Sequence, residues 1–474
     1  MSKNDANDRG RSDDTSDDRE PGDFDDSLME REAREVYEEL LERVGEAAPQ
    51  PRLDATRRAA ELLGDPQRAY PIIHITGTNG KTSTSRIIES ILRAHGLRTG
   101  MLTSPHLERV NERIVIDGEP ISNAAFVSNW QDIRPFLDIT DAELGFEDKP
   151  PLSFFEALTL LAFAAFADAP VDVVVLEVGM GGEWDSTNVA DGQVAVFTPI
   201  ALDHMKRLGS TVAEIARTKS GIIKPAAAVV SALQVPEALA ELERAAELTE
   251  STLAVAGTDF GLEADTVAVG GQVITVRGLA GTYPDLFLPL FGDHQAANAT
   301  LAIAAVESFI GGGALPLNQD VLAEGLATAT SPGRLQIIGN EPTVLVDAAH
   351  NPHGAAALAV ALTEYFTFDH VTAVLGVLGD KDAAGILREL DAVVDDVVIT
   401  QSNSDRAVDA DELAAIAVSV FGPDRVTVEP NLEAALELAR DRAAETEKGA
   451  ALVTGSITLV GDAMVHARDQ GWKP

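Results

Sequence analysis

Apolar positions change their spacing several times along the chain, and each change marks an element. From Met29 to about Val44 they recur at three- and four-residue steps (MEREAREVYEELLERV), which predicts an amphipathic helix. From Pro71 onward, short solid apolar runs alternate with helical periodicity. PIIHIT reads as a buried strand. KTSTSRIIESILRAHG reads as a helix with Ile87, Ile88, Ile91 and Leu92 on one face, closed by Gly96. RTGMLT, VDVVVLEV and QVAVFTPI are further strands; SFFEALTLLAFAAFAD, TVAEIARTKSG and HQAANATLAIAAVESFI are further helices. Residues about 252–290 are more strand-rich and predict a peripheral sheet. Strands that are apolar throughout, joined by helices, predict a parallel sheet covered on both faces.

The pattern breaks at TATSPG (328–333), a candidate interdomain linker. Beyond it strands TVLVDA, VTAVLGVL, DVVIT and GAALVTG alternate with helices PHGAAALAVALTEYF, DAAGILREL and DADELAAIAVSVF and another near 431–444. The expected fold class is therefore α/β: a doubly wound parallel-sheet domain with a phosphate loop, followed by a smaller Rossmann-like α/β domain. The expected division is an acidic, disordered tail over 1–28, a central domain over 29–330 and a C-terminal domain over 331–474. The tail has almost no apolar content.

Composition narrows the function. The 474 residues are 45% hydrophobic, enough for a large core, yet no stretch reaches the roughly 18 uninterrupted apolar residues of a membrane helix. The first residues lack the apolar segment of a secretory signal. No cysteine is present, which excludes disulfides, cysteine nucleophiles and thiolate metal sites. A cytoplasmic protein is expected. The net charge is −40, from 76 acidic against 36 basic residues, and only 9 of the basic residues are lysine. Such a surface repels nucleic acid. Salt near 1 M shortens the Debye length to about 3 Å and screens the self-repulsion. A halophilic, haloarchaeal cytosol is the expected habitat.

Candidate chemistry begins at Gly77-Thr78-Asn79-Gly80-Lys81-Thr82-Ser83, between a predicted strand and a predicted helix. There, backbone N–H groups and the helix N-terminus bind phosphate oxygens, and Lys81 adds a positive charge. Thr82 or Ser83 can offer a hydroxyl to Mg2+. The spacing is G-x-x-G-K-T, with Ile75 where longer phosphate loops carry their first glycine, which argues against a Ras-like or transport-type NTPase. Strand VDVVVLE ends in Glu177, and a carboxylate at a buried strand end beside a phosphate loop suits a Mg2+ ligand.

Several strings together resemble the folylpolyglutamate synthase and dihydrofolate synthase family of the Mur ligase superfamily. They are HITGTNGKTS, TSPHLERVNERI, SFFEALT, LEVGMGGEWDSTNV, ALDHMKRLGSTVAEIARTKSGIIKP, GDHQAANA, SPGRLQ, VDAAHNPHGA, GVLGDKD, SNSDRA and TGS, in the family's order. The resemblance implies an ATP-dependent ligase that makes an acyl phosphate from a pterin-linked carboxylate and joins L-glutamate to it. The acceptor would be dihydropteroate, a reduced folate or both, and the enzyme a monomer. It implies that Lys81 and the loop amides hold ATP phosphates and that Ser104, Glu177 and His204 bind Mg2+. Lys219 matches a lysine carbamylated in many members. Arg334, Asp347 and His350 would contact nucleotide and phosphate from the second domain, and Asn298 and Gln295 would lie near the adenine. Lys81, Lys219 and His350 are thus the expected catalytic residues. The family's Arg-Leu-Asp after the glycine pair is Glu183-Trp184-Asp185 here. Two rival readings remain: another Mur-type amide ligase, and a nucleotide-dependent switch protein without ligase activity.

Overall fold

The computed structural model describes residues 21–45 and 50–473. Eight strands form the first sheet: β1 (Ile72–Thr76), β2 (Thr99–Leu102), β3 (Ile114–Ile116), β4 (Glu119–Pro120), β5 (Val173–Glu177), β6 (Val194–Phe197), β7 (Ala228–Ser231) and β8 (Thr252–Val255). Their order is β4-β3-β2-β5-β1-β6-β7-β8. Strands β2, β5, β1, β6, β7 and β8 run parallel; β3 and β4 are an antiparallel edge that the sequence pattern did not reveal. Every residue of β1 and β5 is buried, as strands covered on both faces must be.

Helices Asn123–Phe146 and Phe154–Asp168 cover one face, joined by the N-terminal helix Pro21–Leu41. Helices Lys81–Ala94 and Asp293–Gly311 cover the other. The N-terminal helix is described from Pro21, so it starts before the Met29 expected from periodicity and stops short of Val44. Most of the expected 1–28 tail, residues 1–20, lies outside the described residues. A three-stranded antiparallel sheet follows, β9 (Gly261–Ala268), β10 (Gly271–Arg277) and β11 (Thr282–Leu288), where strand-rich sequence was expected.

The second large sheet holds β12 (Gln336–Asn340), β13 (Thr343–Asp347), β14 (His370–Leu375), β15 (Asp396–Ile399), β16 (Val426–Val428) and β17 (Gly449–Thr454), ordered β12-β13-β17-β14-β15-β16. Only the edge strand β12 is antiparallel. The chain passes between the two sheets just after helix Gln319–Ala327.

Position follows from topology. The chain winds from β1 toward β2 on one side and later toward β6 on the other, so β1 is the switch point of the first sheet. Ligands of open α/β sheets bind outside the carboxyl ends of strands at that point. The carboxyl ends of β1 and β5 lie side by side there, with Ile75 opposite Glu177.

Candidate active site

The loop Gly77–Gly80 leaves β1 and feeds directly into helix Lys81–Ala94. Two of its glycines are required by space. A Cβ on Gly77 would meet Thr198 Oγ1 at 1.8 Å. A Cβ on Gly80 would meet Asn298 Oδ1 at 2.6 Å, and Gly80 has φ +86°. Thr78 ties the loop to the neighbouring segment, donating to the Ala201 carbonyl at 3.0 Å. Lys81 Nζ donates to the Gly77 and Thr78 carbonyls at 3.2 and 3.3 Å. Burial lowers its pKa, opposed by the charges of Glu177 and Asp203.

Thr82 Oγ1 donates to Glu177 Oε1 at 3.0 Å. The other carboxylate oxygen, Oε2, is buried without a hydrogen-bond partner. Burial pushes the Glu177 carboxyl up to about 7, against the pull of Lys81 and the Thr82 hydrogen bond. An unpartnered buried oxygen beside a hydroxyl fits a Mg2+ site of the kind completed by one or two carboxylates, substrate phosphates and water. Among the described residues no three His, Asp or Glu side chains gather around a metal position, so the protein alone does not form a cage. His204 stands nearby in the left-handed region (φ 50°), capping the short helix Met205–Leu208. Burial pushes its pKa down to about 4, with Lys81 and Lys219 contributing, so its imidazole is neutral and able to bind a cation. Ser104 is half-buried in the loop between β2 and β3.

Lys219 is buried and donates to the Gly77 carbonyl at 2.7 Å. Burial, then the charge of Lys81, pushes its pKa down to about 7. Ser83 shares a 2.8 Å hydrogen bond with Ser331 next to the domain crossing. Asn298 donates to Gln295 Oε1 at 3.1 Å while packing under Gly80.

The second domain meets the loop directly. Asn79 and Asn351 exchange two side-chain hydrogen bonds, at 3.0 and 3.2 Å. Asn79 also lies 2.8 Å from His353 Nδ1. Lys381 Nζ donates to Asp203 Oδ1 at 3.1 Å; the two side chains are 8% and 12% exposed. His350 Nε2 is 4.0 Å from the same carboxylate. Burial would raise the Asp203 pKa, but His204, Lys381 and His350 together hold it well below the usual carboxylate range. His350 is pushed down to about 4 by burial and then by Lys381. Arg334 donates to the Ala348 carbonyl at 3.2 Å and adds positive charge near Lys81 and Glu177. Asp347, at the end of β13, accepts the Leu335 and Ala349 backbone N–H groups at 2.8 Å each, which ties the start of β12 to the turn after β13.

Asp203, Lys381 and Asn351 were not picked out as site residues from sequence. The signal was present, since they lie in the strings ALDHMKRLG, GVLGDKD and VDAAHNPHGA. A small cavity beyond the end of β5 is lined by Phe155, Met180, Trp184 and Asp185. Asp185 is buried with a raised pKa, and it accepts the Met180 N–H at 2.9 Å. A larger cavity, about 900 Å3, lies in the C-terminal domain around Trp472 and Arg440 and holds none of these residues.

A phosphate loop at a sheet switch point, closed by a second α/β domain that brings basic groups, defines an ATP-dependent ligase of the Mur type. Family models agree: the Mur ligase middle domain matches residues 75–306, and the Mur ligase, glutamate ligase domain matches 333–457. A Mycobacterium tuberculosis protein named dihydrofolate synthase/folylpolyglutamate synthase is 46% identical over 441 residues, covering 88% of this chain and 90% of that one. The structure of M. tuberculosis folylpolyglutamate synthase complexed with ADP and AMPPCP superposes with a TM-score of 0.89 at 44% identity, covering 94% of this chain and all of that one. An Escherichia coli structure described as FolC in complex with DHPP and ADP gives 0.75 at 31% identity, covering 88% and 94%. A Haloferax volcanii protein named probable bifunctional folylpolyglutamate synthase/dihydropteroate synthase is 35% identical, covering 87% of this chain and 48% of that one. The chain belongs to the dihydrofolate synthase/folylpolyglutamate synthase family.

Proposed function

We propose that this ligase adds L-glutamate both to dihydropteroate and to a reduced folate, with ATP as phosphoryl donor. A carboxylate oxygen of the acceptor attacks the γ-phosphorus, the bond to the β-phosphate oxygen breaks and ADP leaves. The glutamate amine, in its neutral form, then attacks the acyl carbon, the bond to phosphate breaks and inorganic phosphate leaves. The amine gives up its proton as the amide forms. The observation that carries this reading is the direct pairing of the phosphate loop with the second domain through Asn79 and Asn351. That pairing sets His350 and Lys381 of the second domain against the loop that carries Lys81 and the buried Lys219, which suits a reaction needing charge neutralisation rather than a nucleophilic side chain.

Lys81 and the loop amides would hold the phosphates, Arg334 would add charge from the second domain, and Asn298 would support the loop from beneath. Glu177, Ser104 and His204 would hold Mg2+, which supplies Lewis-acid charge to phosphate oxygens. Lys219 is suited to carbamylation, because a pKa near 7 leaves much of the amine unprotonated at neutral pH, the form that takes up carbon dioxide.

A cytoplasmic location agrees with the lack of any described helix long and apolar enough to cross a membrane. The net charge of −40 supports a salt-rich habitat. A haloarchaeal source rests on that charge alone, since the mycobacterial relative is more similar than the Haloferax one.

The test is ADP release in about 2 M KCl, where surface charge is screened, with Mg2+, ATP and L-glutamate and with dihydropteroate or tetrahydrofolate as acceptor. Release that requires glutamate and occurs with each acceptor is expected. Release with one acceptor alone narrows the activity to that substrate, and release with neither overturns the reading.

A further inference from the structure

The loop that carries Ser104 is tied at both ends to different domains. At its neck, Thr103 N–H donates to the Arg113 carbonyl at 2.9 Å, closing residues 103–113 on the central sheet. Within it, the Glu112 carboxylate accepts three successive backbone N–H groups, from Leu107, Glu108 and Arg109, at 2.8, 2.9 and 2.7 Å. The segment is thus a rigid hairpin rather than a floppy strap. Its tip reaches the C-terminal domain. Leu107 packs against the cluster formed by Ile338, Val344, Leu459 and Val460.

Two glycines make room for that tip. A Cβ on Gly461, in helix Ile457–Asp469, would meet the Leu107 carbonyl oxygen at 2.2 Å. A Cβ on Gly333, at the domain crossing, would meet Leu107 Cδ2 and Val460 Cγ1 at 3.1 Å each. Beside the notch, Arg468 of the same helix pairs with Glu108 at 2.5 Å.

We propose that Leu107 is a positioning residue for the ligation: seated in the Gly333–Gly461 notch, it makes the placement of Ser104 and of the acceptor depend on the docking of the C-terminal domain. The inference rests on the ligase reading above. Ser104 lies between the neck residue Thr103 and the tip residue Leu107, so a shift of the C-terminal domain at Leu107 reaches Ser104 through only three residues. A displacement of about 1 Å at a reacting centre costs on the order of 100-fold in rate.

Gly461→Ala is the sharp probe. Alanine is a better helix former than glycine, so the helix itself is not weakened. The added methyl meets a backbone oxygen that has no rotamer with which to yield. The expected result is a fall of about 100-fold in kcat/KM for the pterin acceptor, with the Kd for an ATP analogue unchanged. Trypsin should also cut faster after the exposed Arg109, because the loop is released. Leu107→Ala should reproduce the effect, and Leu107→Met, which keeps an apolar knob, should restore most of the activity. Wild-type acceptor kinetics and an unchanged rate of cleavage in Gly461→Ala would overturn the proposal. So would an equal loss of nucleotide affinity, which marks general disruption. A wild-type enzyme with no pterin-dependent turnover would instead defeat the ligase reading, and the cleavage rate would still report on the docking.

Discussion

The two halves of the site are built differently. The central half is mostly backbone: the loop Gly77–Gly80, the ends of β1 and β5 and the first turn of a helix set its geometry within one continuous sheet. The C-terminal half reaches the site through side chains, His350, Asn351 and Lys381, and meets the central half at Asp203 and Asn79. A backbone cradle is formed whenever the sheet is folded. A side-chain bridge exists only while the domains are docked. The shape of the phosphate loop therefore depends on one domain, whereas the Asn79–Asn351 and Asp203–Lys381 contacts depend on both.

The largest effect should come from the cradle. Lys81→Ala removes the cation over the phosphates and should lower kcat by about 1,000-fold or more, measured as glutamate-dependent ADP release. Near-normal turnover would show that the loop alone suffices. An intermediate effect is expected at the bridge. Breaking a buried ion pair by removing one partner costs about 3 kcal/mol. Lys381→Ala and Asp203→Ala should each destabilise the protein by that order in denaturant unfolding. The double variant should cost little more than either alone, because the second substitution removes a charge already left unpaired. Additive losses would mean that the pair does not couple the two halves.

A pH-dependent effect on stability, with no loss at the bridge itself, concerns Lys219. Its pKa is about 7 in the folded protein and 10.5 as a free side chain. Between those values the unfolded chain binds more protons, so this residue makes stability rise with pH across that window. The penalty is full below pH 7 and gone above 10.5. Lys219→Met removes the titration, so its Tm advantage over the wild type should be greatest near about pH 6 and should fade toward about pH 10. A difference independent of pH would reject the buried, depressed amine.

Much of the fold was legible because its strands are apolar throughout and its helices carry clear periodicity. The elements that escaped were those whose apolar positions depend on tertiary neighbours. Helix Asn123–Phe146 contains Pro135 and alternates buried Trp130 and Leu137 with exposed Phe136 and Ile139, so its face is blurred in sequence. The antiparallel edges β3–β4 and β12 are too short or too mixed to announce their direction. In the site, the glycine-lysine loop and Glu177 were visible because local spacing defines them. Asp203 and Lys381 were less so, because a lone Asp or Lys on a loop looks like any solvated charge.

The chain's order of residues determined which groups are available: a phosphate loop between strand and helix, a carboxylate at a strand end, few histidines, no cysteine and an excess of acid. Local hydrogen bonding and hydrophobic periodicity act over a few residues and can be read directly. Only the tertiary structure decided which groups meet. Asp203 and Lys381 lie 178 positions apart, and Asn79 and Asn351 lie 272 apart. Their contact, the unpartnered oxygen of Glu177 and the depressed pKa of Lys219 all arise from burial between packed elements. Burial is a property of the whole fold, so no local pattern encodes it.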